Sequence, residues 1–265
     1  MMIKKLFRGL RGGLVFETTF PLRQEEEDFW AFVDRSFLFP VIGALTGAVL
    51  GGIGLALSFL PTFIAAGFFL VSLYLICGIL HTDGLADFAD GLVTGGTHSE
   101  RLQVMKDEKT GAAGLVTILS TNLLLFSGLV ELFALEDVYA VIFILLAAEV
   151  IAKWSMLSLL FFGRSAHEGM GRTFIEKVDL GDWLLGTLVV LAGLVPFLNP
   201  LALVPAVVGF LLVQVMNRLG VRVIGGVNGD IVGATGELAR PLVVVLFVLL
   251  YRIGLVPLVK FAEVL

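Results

Sequence analysis

A 265-residue chain that is 58% hydrophobic and only 15% charged, with mean hydropathy +0.99, carries too much apolar surface for one water-soluble core. Soluble domains run at about 25% charged and about 45–50% apolar residues. Lipid must solvate the excess, and the net charge of −5 argues against a nucleic-acid partner.

At about 20 residues per crossing, the chain is predicted to form a single integral membrane domain over residues 1–265, an all-α polytopic bundle of about seven spans. Residues 1–36 form an N-terminal segment and residues 37–260 the bundle. The first eleven residues are basic but lead into no apolar core with a cleavage site, so no signal peptide is expected. The acidic run Glu25–Asp28, ahead of Phe29 and Trp30, predicts the start of an interfacial amphipathic helix.

Long apolar runs with few or no charges predict spans over 37–60, 62–80, 115–133, 138–162, 183–198, 200–216 and 241–258. Cys77 falls inside one of these runs and, as the single cysteine, has no intrachain disulfide partner. With the N-terminus inside, the segments 1–36, 81–109, 163–182 and 217–240 all face the cytoplasm. They hold every Lys and Arg among the 18 except Lys153, Arg252 and Lys260. The outside turns at Pro61, 131–137 and Asn199–Pro200 hold none, which is the positive-inside distribution. This predicts a multi-pass protein of the cytoplasmic membrane with its site on the cytoplasmic face, where the long polar segments lie. Glu149 and Lys153 sit within a span at i and i+4, where ionisable groups are costly. They are read either as a mutually satisfied pair or as functional groups, and Arg252 carries no assigned role.

The strongest motif is HTDGLADFADG, His81–Gly91. On a helix, about 100° per residue puts Asp83, Asp87 and Asp90 on one face. Three carboxylates on one stripe repel one another, and a divalent cation reverses the sign of that energy. Mg²⁺, with Mn²⁺ as a substitute, favours such hard oxygens together with substrate phosphate oxygens. His81 is open between a cap, a phosphate contact and a base. In the next motif, Arg101 and Lys106 suit a leaving phosphate, while Asp107 suits a metal oxygen or a proton. The segment Arg164–Arg172 contains Gly169 and Gly171 and suits a polar ligand. Residues 225–237 bring Gly226, Asn228 and Gly229, whose backbone can approach phosphate, with Asp230 and Glu237 on one helical face.

Taken together, these motifs resemble the cobalamin synthase family of adenosylcobinamide-GDP ribazoletransferases. The resemblance rests on His81–Gly91, Met105–Ala112, Gly169–Gly171 and Gly225–Glu237 in order, with Thr18–Pro21 ahead of the first span. It covers nearly the whole chain. Met170 stands where the family pattern has Leu, Asn228 where it has Thr, and Lys153 where Arg is more usual. The last change keeps charge but loses a planar fork.

The resemblance implies a Mg²⁺-dependent phosphotransferase of cobalamin biosynthesis that joins a corrinoid nucleotide to α-ribazole or its 5′-phosphate and releases GMP. It implies Asp83, Asp87 and Asp90 on the metal, Lys106 on phosphates, and Asp107 or His81 toward the hydroxyl. Arg101, Arg164, Gly169, Gly171, Gly226, Asn228, Gly229, Asp230 and Glu237 are implied substrate contacts, and self-association is compatible with the pattern. Two alternatives remain open at this point. A CDP-alcohol phosphatidyltransferase shares the opening Asp87–Gly91, but Thr94-Gly95 replaces its Ala-Arg. A secondary transporter would use Glu149 and Lys153 as coupling groups near mid-membrane.

Overall fold

The computed structural model describes residues 2–23, 25–197 and 199–257. Its helices run in the order α1 (Met2–Glu17), α2 (Glu26–Val33), α3 (Leu38–Leu57), α4 (Thr62–Cys77), α5 (Leu80–Val93), α6 (His98–Met105), α7 (Ala112–Phe133), α8 (Val138–Phe162), α9 (Met170–Ile175), α10 (Leu180–Leu194), α11 (Val204–Ile224) and α12 (Gly229–Arg252). Short 3₁₀ turns at Val195–Phe197 and Pro200–Leu203 join α10 to α11. Among the described residues there is no strand, only one parallel bridge between Ser165 and Val227.

Six of these helical stretches are long and apolar enough to cross a membrane, and α4 with α5 forms a bent pair at 97°. We read α4 as the seventh span and α5, with its three aspartates, as turned out of the spanning layer. The bend falls at Gly78, whose φ of +70° is readily adopted only without a side chain.

Burial separates centre from periphery. Over their span windows α8 and α12 are 83% and 78% buried, against 22% for α7. Close packing follows small residues. Gly43, Gly47 and Gly51 lie at four-residue spacing on α3, and added Cβ atoms there would come within 2.7 Å of Glu149 O, 2.9 Å of Leu146 Cα and 3.1 Å of Ile142 O on α8. Such stripes let membrane helices gain dispersion contact at backbone distance.

The acidic run does open a helix. In α2, Glu25 and Asp28 form a reciprocal capping box. Arg11 Nη2 lies 2.6 Å from Asp28 Oδ2, which ties α1 to α2. Phe16, Phe29, Phe32, Phe39 and Phe174 then pack in tilted and edge-on contacts with ring centroids 4.8–6.0 Å apart and join α1 and α2 to α3 and α9.

Two predicted boundaries are corrected. The sixth span continues to Ile224, and the last begins at Gly229 rather than at residue 241. The span was expected to start at Pro241 because the apolar run begins there, just after Arg240. Instead Pro241 lies inside α12, at the cost of one backbone hydrogen bond. Residues 229–240 can enter the bundle because their buried charges are paired, as described below. The part of the predicted span beyond residue 257 lies outside the described residues.

Candidate active site

The site begins where α5 lies against the start of α12. A Cβ on Gly84 would sit 2.8 Å from Asp230 Cα, and one on Gly233 would sit 2.8 Å from His81 Nδ1. These two glycines let α5 approach α12 closely, so Asp83 and Asp87 face Asp230. Asp83 is exposed and Asp87 half-buried. Burial, reinforced by repulsion from Asp83, Asp230 and Asp90, pushes the Asp87 carboxyl up to about 7.

The third acid of the expected stripe has other work. Asp90 is buried. Its Oδ2 accepts from Gly111 N at 2.7 Å and its Oδ1 from Gly114 N at 2.9 Å. Gly111 is the N-cap of α7 and makes no side-chain cap of its own. Asp90 supplies that cap from another helix and satisfies two amides that the helix cannot. Asp83, Asp87 and Asp90 share a helix face as predicted, but not one environment. Among the described residues no three His, Cys, Asp or Glu side chains are arranged to hold a metal ion between them. Replacing Asp90 with Ala is expected to lower stability by about 1–2 kcal/mol. Thermal unfolding in detergent measures this, and an unchanged midpoint would contradict the capping role.

Two loops form the other wall. Val227 N donates to Arg164 O at 2.7 Å and Ala166 N to Val227 O at 3.0 Å. A Cβ on Gly226 would meet Arg164 O at 2.6 Å, and one on Gly171 would meet Gly229 N at 2.6 Å. Gly226 and Gly171 are therefore needed for close backbone packing. Gly229 is exposed at the first turn of α12. Asn228 Oδ1 caps α12 through Ile231 N at 3.1 Å, and its Nδ2 donates to Asp230 Oδ2 at 2.7 Å. Gly169, at φ +153°, opens the path into α9, and Arg164 is exposed. His167 Nδ1 lies 2.6 Å from Glu168 O, while its Nε2 is buried without a hydrogen-bond partner.

The Arg101 side chain turns back onto its own loop, donating to Gly96 O and Leu92 O at 3.4 Å each. Lys106 and Asp107 are exposed. Lys106 is close enough to Asp230 to act on it electrostatically, and Asp107 Oδ1 accepts from Lys109 N at 3.1 Å.

Behind the acids runs a buried charge network. His81 Nε2 lies 2.9 Å from Glu17 Oε2, and Lys153 Nζ donates to the same oxygen. Arg240 donates to Glu149 through Nε and to Glu237 Oε1 through Nη1, the latter at 2.8 Å. Thr82 Oγ1 donates to Glu237 Oε2 at 3.4 Å. Several expectations are corrected here. Glu149 and Lys153 do not pair with each other. Glu237, expected at substrate, is buried against Arg240. His81, expected as a base or phosphate contact, has its Nε2 engaged by Glu17 and its Nδ1 edge against Gly233. The roles of Glu17, Thr82 and Arg240 escaped the sequence reading because Glu17 meets His81 and Lys153, Thr82 meets Glu237 and Arg240 meets Glu149, all remote in sequence. Arg252, left unassigned, pairs with Glu131 at 2.6 Å.

Comparison with known proteins agrees with this arrangement of motifs. The family profile described as cobalamin-5-phosphate synthase matches residues 9–249. An adenosylcobinamide-GDP ribazoletransferase of Methanocella arvoryzae is 35% identical over 90% of this chain and 94% of its own length. Those of Thermococcus kodakarensis, at 34% over 87% and 94%, and Halorubrum lacusprofundi, at 33% over 89% and 94%, are similar along the same extent. No solved structure shows significant similarity to the chain. A profile that spans the stretch containing all four motifs, together with relatives matched over 87–90% of this chain, establishes that the chain belongs to the cobalamin-5-phosphate synthase family.

Proposed function

We propose that this chain joins adenosylcobinamide-GDP to α-ribazole or its 5′-phosphate at the cytoplasmic face of the cell membrane, with Mg²⁺ bound and Mn²⁺ able to replace it. The acceptor hydroxyl forms a bond to the phosphorus that carries cobinamide. The bond from that phosphorus to the oxygen bridging toward guanosine breaks. GMP leaves with that oxygen, the hydroxyl proton passes to a base, and the product is adenosylcobalamin or its 5′-phosphate. Family membership sets aside the phospholipid-synthase and transporter readings.

One observation carries the proposal: Asp83, Asp87 and Asp230 crowd together where α5 meets α12, and burial, reinforced by that crowding, pushes Asp87 up to about 7. Uncompensated crowding of carboxylates is unfavourable, and a cation or its phosphate complex reverses it. The donor set fits Mg²⁺, which is commonly held by one or two carboxylates plus substrate phosphates rather than by an all-protein cage. Asp83 and Asp87 would hold it, with Asp230 across the gap. When bound, the ion would neutralise charge on the pyrophosphate. Lys106, exposed beside Asp230, is suited to the phosphate oxygens. With Nε2 of His81 given to Glu17, the exposed carboxylate of Asp107 is the better candidate to take the hydroxyl proton. In-line phosphoryl transfer depends mainly on such positioning and neutralisation.

The test is GMP release from adenosylcobinamide-GDP and α-ribazole by purified protein. Chelation is expected to abolish release, and Mg²⁺ to restore it. Half-saturating Mg²⁺ should rise as pH falls below about 7, because a proton then competes for Asp87, and should level off above that pH. Undiminished turnover in excess chelator would end the metal assignment. Absence of release under all conditions would end the functional one.

A further inference from the structure

Between α1, α3, α5, α8, α9 and α12 lies a cleft. Phe16, Phe39, Met156, Leu160, Met170 and Phe174 line it, with Val232 beside them, and its polar side chains are His81 and Asp230. The Phe16, Phe39 and Phe174 rings belong to the aromatic cluster described above, with Phe39 and Phe174 edge-on at a centroid distance of 5.4 Å. Packing has therefore fixed three of the walls before any ligand arrives.

Resting on the proposed function, we propose that this cleft seats the fused-ring azole base of the ribazole acceptor. Three features select that group. The first is size. The cleft measures about 80 Å³, against about 10–15 Å³ for one water. One or two fused rings fit, and a corrin macrocycle does not. The second is polarity. Apart from His81 and Asp230, the lining offers only sulfur, methyl, ring and glycine surface. Guanine and adenine, the two flat bases of the donor, each have a polar edge that would lose much of its water without full replacement, at about 1–3 kcal/mol per unpaired group. A benzimidazole-type base has only its ring nitrogens, one of them bonded to the sugar. The third is continuity. Asp230 both lines the cleft and faces Asp83 and Asp87, so a base in the cleft can hold its sugar next to the acids of α5. Methionine sulfur at Met156 and Met170 is well suited to an aromatic face or edge.

The test uses full-length protein in detergent, with separate Michaelis constants for donor and acceptor. Val232→Phe intrudes on the cleft and is expected to raise the acceptor KM at least tenfold, leaving the donor KM within twofold. Met170 is 57% exposed, so Met170→Ala serves as the variant least able to disturb folding. It should raise the acceptor KM several-fold with the same selectivity. Free benzimidazole should compete with the acceptor but not with the donor, and Val232→Phe should weaken that inhibition by the same factor. A donor-selective effect would assign the cleft to a base of the donor. Equal effects on both constants, no effect on either, or benzimidazole inhibition without competition against the acceptor would also overturn the proposal. These results leave the functional reading intact, whereas failure of the wild-type protein to release GMP overturns both.

Discussion

Asp87→Asn is expected to reduce GMP release by at least about 10³-fold while leaving the protein as stable as the parent or more so. The activity loss follows from removing one of the charges that would grip the cation and its pyrophosphate. Single electrostatic contacts of this kind are worth about 10²–10³-fold in other enzymes, and a metal ligand stands at or above the upper end. The stability result follows from the same crowding with the opposite sign. Asp87 is penalised by its burial and repelled by Asp83, Asp230 and Asp90. An uncharged, nearly isosteric amide removes that repulsion from the folded state. Loss of function with unchanged or improved stability is the pattern of a site held strained for its chemistry. Turnover assays paired with thermal unfolding in the same detergent measure both quantities. Near-normal GMP release by Asp87→Asn would refute the assignment, as would a large fall in unfolding temperature.

Arg240→Met is expected to do the reverse and remove the fold itself. Arg240 is 4% exposed and holds two carboxylates, Glu149 and Glu237, that are 2% and 7% exposed. Deleting the cation strands both acids inside the bundle, and breaking a buried pair in this way costs about 3–5 kcal/mol. Against typical total stabilities of about 5–15 kcal/mol, a large share of the molecules should fail to fold or fail to leave the detergent extract as a single species. The triple variant Arg240→Met, Glu149→Gln, Glu237→Gln removes the stranded charges and should recover much of the loss. A single variant as stable as the parent would show that the network contributes little. Failure of the triple variant would shift the explanation from charge to packing around the guanidinium.

The pairing in this network explains why the sequence misled at several points. Glu149 and Lys153, four residues apart on α8, had the spacing of a local ion pair. Each instead reaches a partner more than 90 residues away, Arg240 for Glu149 and Glu17 for Lys153. His81 reaches Glu17 across 64 residues. Asp90 met its predicted face but was claimed by the bare amides at the start of α7. Residues 229–240 read as a polar cytoplasmic stretch because their charges were counted singly, whereas pairing lets them lie within α12.

Composition and charge alone determined that this is a helical membrane protein of about seven spans, because the cost of placing apolar or charged groups is set residue by residue. Periodicity on one helix determined that Asp83, Asp87 and Asp90 share a face, and the order of four motifs pointed to the family. Only the tertiary structure decided which of those acids meet. Periodicity states the direction a side chain leaves its own helix, and the neighbour found there depends on how α1, α5, α7 and α12 pack. That packing is set by Gly84, Gly111 and Gly233, where the absence of a side chain lets a distant backbone or carboxylate come close.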